Sequence, residues 1–205
     1  MQLLVAALPG AASSSGGNLL ARSLPMGKRL KKLSPRLISF IEKQPLFFVA
    51  TAMKEGRINL SPKGLDSLKV LSEKQVLWLN LTGSGNETAT HLQFHNRMTL
   101  MFCAFEGNPM ILRLYGTAKA YHEHDAAWQD FQPYFPDAVG SRQFIVMDVD
   151  LVQTSCGFGV PLMEYKGERD LLGPWAAEKG REGLEKYREE KNVTSLDGHP
   201  TGIFK

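Results

Sequence analysis

Cysteine is scarce in this chain. Only Cys103 and Cys156 occur among 205 residues, too few for a disulfide framework, and they fit a reducing compartment. Long apolar runs are missing too: the apolar start, 1–9, is far shorter than the ~20 residues a spanning helix needs. No basic residue precedes it, as a secretory leader would require. Acidic residues are absent from 1–41, which holds six Lys or Arg. The remainder has 18 basic and 21 acidic residues, so the net charge of +3 conceals a body of −3. A body of that sign is not a basic nucleic-acid binder. There is no Walker sequence, no G-x-G-x-x-G and no Ser-His-Asp array, and no repeat of about 20–50 residues recurs.

What is present is an ordinary globular composition, 43% hydrophobic and 22% charged, in a length that suits one domain with a sizeable core. The N-terminal stretch stands apart. It combines scattered Arg, Lys and Ser with an Ala/Ser/Gly-rich segment over 11–18. Two readings remain open: an organelle-import segment within 1–25, or a flexible tail over 1–27 with Met26 near the start of the domain. The cluster Lys28, Arg29, Lys31 and Lys32 reads either as a solvated face or as a contact for phosphates or acidic lipids.

The body reads mainly as strands. Ser34-Pro35 opens a short helix carrying Leu37, Ile38 and Ile41, stopped by Pro45. Strands are expected at 46–53, 57–61, 68–71, 75–81, 98–105, 110–121 and 143–152, with a bend at Gly116. Glu106-Gly107-Asn108-Pro109 is a hairpin turn. Helices are expected at about 86–94, 124–131 and 174–191. Strands joined largely by hairpins, with a few helices inserted, predict an antiparallel barrel with peripheral helices.

The most informative stretch is Leu79-Asn80-Leu81-Thr82-Gly83-Ser84-Gly85-Asn86-Glu87-Thr88. An apolar strand breaks into a glycine-containing loop and restarts as a helix. Free backbone N–H groups and the positive end of a helix dipole meet there, which makes an anion site suited to a cofactor phosphate.

Three segments together carry a resemblance: Arg57-Ile58-Asn59-Leu60-Ser61-Pro62-Lys63-Gly64, Thr82-Gly83-Ser84-Gly85-Asn86-Glu87-Thr88, and Ser155-Cys156-Gly157-Phe158-Gly159-Val160-Pro161. In order and spacing the chain resembles the pyridoxamine 5′-phosphate oxidase-like family over roughly 34–165. The resemblance implies a split β-barrel over 28–165 that binds FMN, usually at a homodimer interface. Residues 166–205 would be a helical extension packed on the barrel. It places Asn59 and Ser61 on the cofactor side and Lys63 at the phosphate. Gly85, Asn86, Glu87 and Thr88 would form the phosphate loop, with Cys156 and Gly157 beside the flavin. The loop departs from the best-known members, where a Ser-Arg-Lys run stands in place of Asn86-Glu87-Thr88. Two cations are lost and one carboxylate is gained. The deazaflavin F420 is the alternative cofactor, though its longer acidic tail calls for more basic residues. The tail from Ser195 to Lys205 lacks the Arg/His-bearing motif of true pyridoxamine phosphate oxidases, so vitamin B6 synthesis is not expected.

Other residues have plain readings. Cys103 belongs in a core strand. His122 and His124 would share a face with no third metal ligand, so no metal site is expected. His91 reads as a surface or interface histidine, with an approach to the phosphate as the alternative. Arg113 points away from Leu112 and Leu114, and Trp175 anchors the last helix. Asn86-Glu87-Thr88 and Asn192-Val193-Thr194 match the N-glycosylation pattern, but the cysteine usage does not suggest secretion. The expectation is a flavin-dependent oxidoreductase acting on a small-molecule substrate, with no general acid or base evident. It is expected to be homodimeric and cytoplasmic, without nucleic-acid or membrane partners. Organelle import through 1–25 is the alternative location. A non-catalytic flavin binder or sensor is the second functional reading, and a nucleic-acid or membrane-surface binder using 22–36 is the third.

Overall fold

The computed structural model describes residues 27–136 and 138–204, so the expectations placed on 1–25 fall outside the described residues. Eight strands form one antiparallel sheet: β1 (Arg29–Leu30), β2 (Phe47–Thr51), β3 (Asn59–Lys63), β4 (Leu68–Ser72), β5 (Gln75–Leu81), β6 (Arg97–Cys103), β7 (Ile111–Tyr121) and β8 (Ser141–Ser155). Four helices accompany them: α1 (Pro35–Glu42), α2 (Glu87–Phe94), α3 (Trp128–Phe131) and α4 (Leu172–Lys191). The strand order is β3-β2-β6-β7-β8-β5-β4, with β1 added on β8. The path leaves β3 and β4 as its two ends, so the chain folds as a split antiparallel β-barrel.

Its interior follows from alternation. Val49, Leu100, Leu112, Leu114, Ile145 and Met147 point inward from four strands and are inaccessible to solvent, and α1 adds Leu37 and Ile41. β5 does not alternate, because both its faces are covered. Val76 and Trp78 face the barrel interior, while Leu77 and Leu79 join Trp128, Phe135 and Phe144 beneath α3.

Several expected bounds shift for identifiable reasons. Ser34 caps α1 through its hydroxyl and Pro35 begins the helix, as its chemistry requires. The expected 57–61 strand runs instead over Asn59–Lys63, and Pro62 lies inside it rather than breaking it. An edge strand leaves one row of backbone groups unpaired, so the missing proline N–H has no ladder to interrupt. The helix expected at 124–131 shortens to Trp128–Phe131, because the Asp125 carboxylate accepts from the His122 N–H and holds a turn there. β7 and β8 are joined in register from Ile111↔Ser155 to Tyr121↔Phe144, with a shift between Tyr115 and Gly116, where a bend was expected. α4 kinks at Gly180, whose φ of 61° and ψ of −176° lie in a region almost restricted to glycine. No described helix is long and apolar enough to cross a membrane.

Candidate functional site

A cavity of about 370 Å³ opens between β3, the end of β5, the loop that follows it, the first turn of α2 and the start of β8. That size is usual for a small-molecule site. Asn59, Ser61, Lys63, Gly85, Asn86, Glu87 and Thr88 all line it. Cys156 and Gly157 do not. They follow the far end of β8, where Cys156 is exposed and Gly157 packs against the Met110 backbone. A single chain therefore brings the strand and the loop together and leaves the late Cys-Gly pair elsewhere.

β3 delivers its polar residues inward. Asn59 and Ser61 are half-buried, while Ile58 and Leu60 are 77% and 64% exposed. The inward groups bind one another: Asn59 Nδ2 donates to Thr51 Oγ1 at 3.2 Å and to Thr88 Oγ1 at 3.1 Å, and the Ser61 hydroxyl donates to Asn59 Oδ1 at 2.9 Å. Behind them His91 is only 1% exposed, its Nδ1 lying 3.0 Å from Thr51 Oγ1. It is therefore neither a surface histidine nor a cavity residue, because α2 packs that face onto β2.

Lys63 ends the strand with its ammonium 5.2 Å from the centre of the Trp78 ring. Burial, reinforced by the charge of Arg142, pushes its pKa from the ordinary 10.5 down to about 8. Among the described residues no carboxylate pairs with it.

Asn86 and Glu87 behave differently from the simple phosphate-loop expectation. The Asn86 amide donates to the Asn192 carbonyl at 3.1 Å, and its Oδ1 accepts from Gln143 Nε2 at 2.9 Å. Its side chain thus anchors the loop and does not face a ligand. Glu87 is tied to the C-terminal segment: its carboxylate accepts from the Leu196 N–H at 2.9 Å. The backbone N–H groups of Gly85, Asn86, Glu87 and Thr88 have no acceptor among the described residues. They form the open N-terminal turn of α2.

Arg142 escaped sequence reading. The β5–β8 register passes from Asn80↔Gln143 to Leu81↔Ser141 and leaves Arg142 unpaired in a bulge. Arg142 is 4% exposed and lines the cavity. Its Nε donates to Gln143 Oε1 at 3.1 Å, and one terminal nitrogen donates to the Gly83 carbonyl at 3.1 Å and Asn192 Oδ1 at 2.8 Å. Burial, then the charge of Arg188, lowers its pKa. Trp78 and Asn80 also line the cavity; Asn80 belongs to the strand-to-helix stretch, whereas no sequence motif had marked Trp78. Among the described residues no cluster of three His, Cys, Asp or Glu is arranged to hold a metal.

Lys63 and Arg142 thus line one cavity of a split barrel, beside the open N-terminal turn of α2. Comparison makes the family explicit. The pyridoxamine 5′-phosphate oxidase family profile matches residues 33–156. The pyridoxamine 5′-phosphate oxidase family protein ustO of Aspergillus flavus is 38% identical over 188 residues, covering 83% of this chain and 76% of that protein. The chain belongs to the pyridoxamine 5′-phosphate oxidase family. Among solved structures, HupZ of Group A Streptococcus matches with a TM-score of 0.50 at 19% identity, over 58% of this chain and 97% of that one. That likeness is one of fold. An FAD-binding protein from Mycobacterium smegmatis matches at a TM-score of 0.43 and 12% identity, over 62% of this chain and 98% of that one.

Proposed function

We propose that this chain is an FMN-binding flavoprotein acting as a flavin-dependent oxidoreductase on a small molecule. One observation carries the reading: Lys63 and Arg142, with no carboxylate between them, share a cavity with the open N–H groups of 85–88. A phosphate supplies the negative charge that this arrangement lacks. Family membership favours a flavin phosphate over other anions. Two cations suit FMN better than F420, whose acidic tail is longer.

When bound, FMN supplies hydride or electron transfer through its N5. Lys63 and the 85–88 N–H groups hold the phosphate, and the Asn59–Lys63 strand orients the ring. Asn59, Ser61 and Thr88 fix that strand against α2 by hydrogen bonds. Among the described residues no histidine or cysteine lines the cavity, and the Glu87 carboxylate is already bonded to Leu196. That scarcity of proton-transfer groups favours the second reading, a non-catalytic flavin-binding or sensor protein.

The working unit in this reading is a homodimer. Ile58, just before edge strand β3, and Leu60 on it, with Phe158, Leu162 and Met163 on the segment after β8, present apolar side chains to solvent. A second copy covers them. The cytoplasm is the compartment proposed, with import through 1–25 as the alternative. Deleting 1–25 and following the distribution distinguishes the two, and an unchanged distribution rejects import.

Mass spectrometry of the small molecule released on denaturation is the direct test. An FMN mass is expected, and an F420 mass selects the alternative. A colourless protein that does not take up added FMN overturns both flavin readings. Reduction of bound flavin by NADH or NADPH, followed by turnover in an acceptor screen, separates the oxidoreductase from the binder.

A further inference from the structure

The family profile ends at residue 156, yet the loop beside the cavity is held by residues far beyond it. Asn192, the residue that ends α4, is fully buried. Its Nδ2 donates to the Gly83 carbonyl at 2.9 Å, and its Oδ1 accepts from Arg142. Its backbone carbonyl accepts from the Asn86 amide and from the Thr201 hydroxyl. One turn earlier, Arg188 donates to Thr82 Oγ1 and to the Ser141 carbonyl. Asn192 thus draws the Gly83 carbonyl to the rear of the loop and fixes the Arg142 guanidinium against the cavity wall. The other terminal nitrogen of Arg142, Nη2, donates to nothing among the described residues, and the residue lines the cavity.

We infer that Arg142 is the second cationic ligand of the bound phosphate, and that Asn192 of the C-terminal extension is its positioning residue. This rests on the flavin-phosphate reading above and deepens it. The 86–88 segment carries no cation, and the bulge in β8 supplies one from a different strand. A guanidinium whose partners are carbonyls and amides has no counter-charge beside it, and arginine matches phosphate geometry well. The extension therefore confers selectivity for the phosphorylated flavin, and its contribution is absent for riboflavin, which has no phosphate.

The test titrates the full chain, stripped of ligand, with FMN and separately with riboflavin, followed by flavin fluorescence. Arg142→Gln is expected to weaken FMN binding about thirtyfold, the usual loss of a charge-assisted bond, while riboflavin binding changes less than about twofold. Asn192→Ala is expected to weaken FMN about tenfold with the same indifference to riboflavin, since the guanidinium remains but is no longer fixed. A role confined to folding would weaken both ligands together, and that result overturns the inference. So does an unchanged FMN preference in either variant. If Arg142→Gln does not fold, Asn192→Ala decides by the same ratio. If the unmodified chain binds neither flavin, the flavin reading fails separately. The anion inference is then read from pyrophosphate, which is expected to raise the melting temperature of the parent and not of Arg142→Gln. No rise in the parent overturns it.

Discussion

Lys63 and Glu87 lie on the same cavity and carry opposite charges, but their partners separate their roles. Lys63 has an aromatic ring and another cation near it, whereas Glu87 is tied to the Leu196 N–H. Lys63→Ala is expected to lower flavin retention through gel filtration by at least about tenfold, the loss of one charge-assisted contact. Glu87→Ala should change retention by less than about threefold, because its carboxylate faces the tail. The reverse ranking would mean that the phosphate sits elsewhere. The lysine also sets a pH dependence. Its folded pKa of about 8 lies below the ordinary 10.5, so between these values the unfolded chain binds more protons at this site. Ligand-free stability therefore rises with pH across that window. Anion binding has the opposite sign, since it needs the protonated ammonium. FMN affinity should fall as pH rises past about 8, and Lys63→Met should reduce that fall, the remainder belonging to Arg142. Titrations at pH values on both sides of 8 check both signs.

Among the elements, the β7–β8 pair is the longest ladder. A Cβ placed on Gly116 would lie 1.9 Å from the Asp148 carbonyl oxygen, which is backbone and has no rotamer to relieve it. Gly116→Ala should therefore destabilise the fold by about 3 kcal/mol or more, read as a lower urea midpoint. The position was legible as a strand glycine, and its close approach explains why glycine stands there. The second irregularity, at Arg142, was not legible. Alternation assigns a strand residue to one face or the other, and an inserted residue interrupts that count. The hairpin and strand periods were otherwise sufficient to find β5 at its full extent and β7 to within a residue. Strand ends were less legible where edge position, as at Pro62, decides what the backbone tolerates.

At the scale of the whole molecule, the C-terminal segment works as a strap across the site. Asp197 holds the β2–β3 turn through the Arg57 N–H at 2.7 Å, Gln93 of α2 donates to the Pro200 carbonyl at 3.1 Å, and Asn192 holds the loop. Three elements that frame the cavity are thereby joined through one segment. The exposed β3 face sits on the opposite side of the same strand from the inward Asn59 and Ser61. In the dimeric reading proposed above, Leu60→Glu should convert a dimer to a monomer in sedimentation velocity, because a charge would be buried without a partner. An unchanged dimer would move the interface away from β3.

The sequence by itself determined the antiparallel barrel, the strand-to-helix glycine loop and the family, because each is written in local pattern: alternating strands, a glycine turn entering a helix, and three ordered motifs. It also placed Asn59, Ser61, Lys63 and the 85–88 turn as neighbours before any geometry was known. Only the tertiary structure decided the charges that matter. A bulge turned Arg142 to the cavity, Glu87 found a donor at Leu196, and Asn192 reached the loop from about a hundred residues away. Such placements depend on register shifts and long-range hydrogen bonds, which leave no periodic trace along the chain.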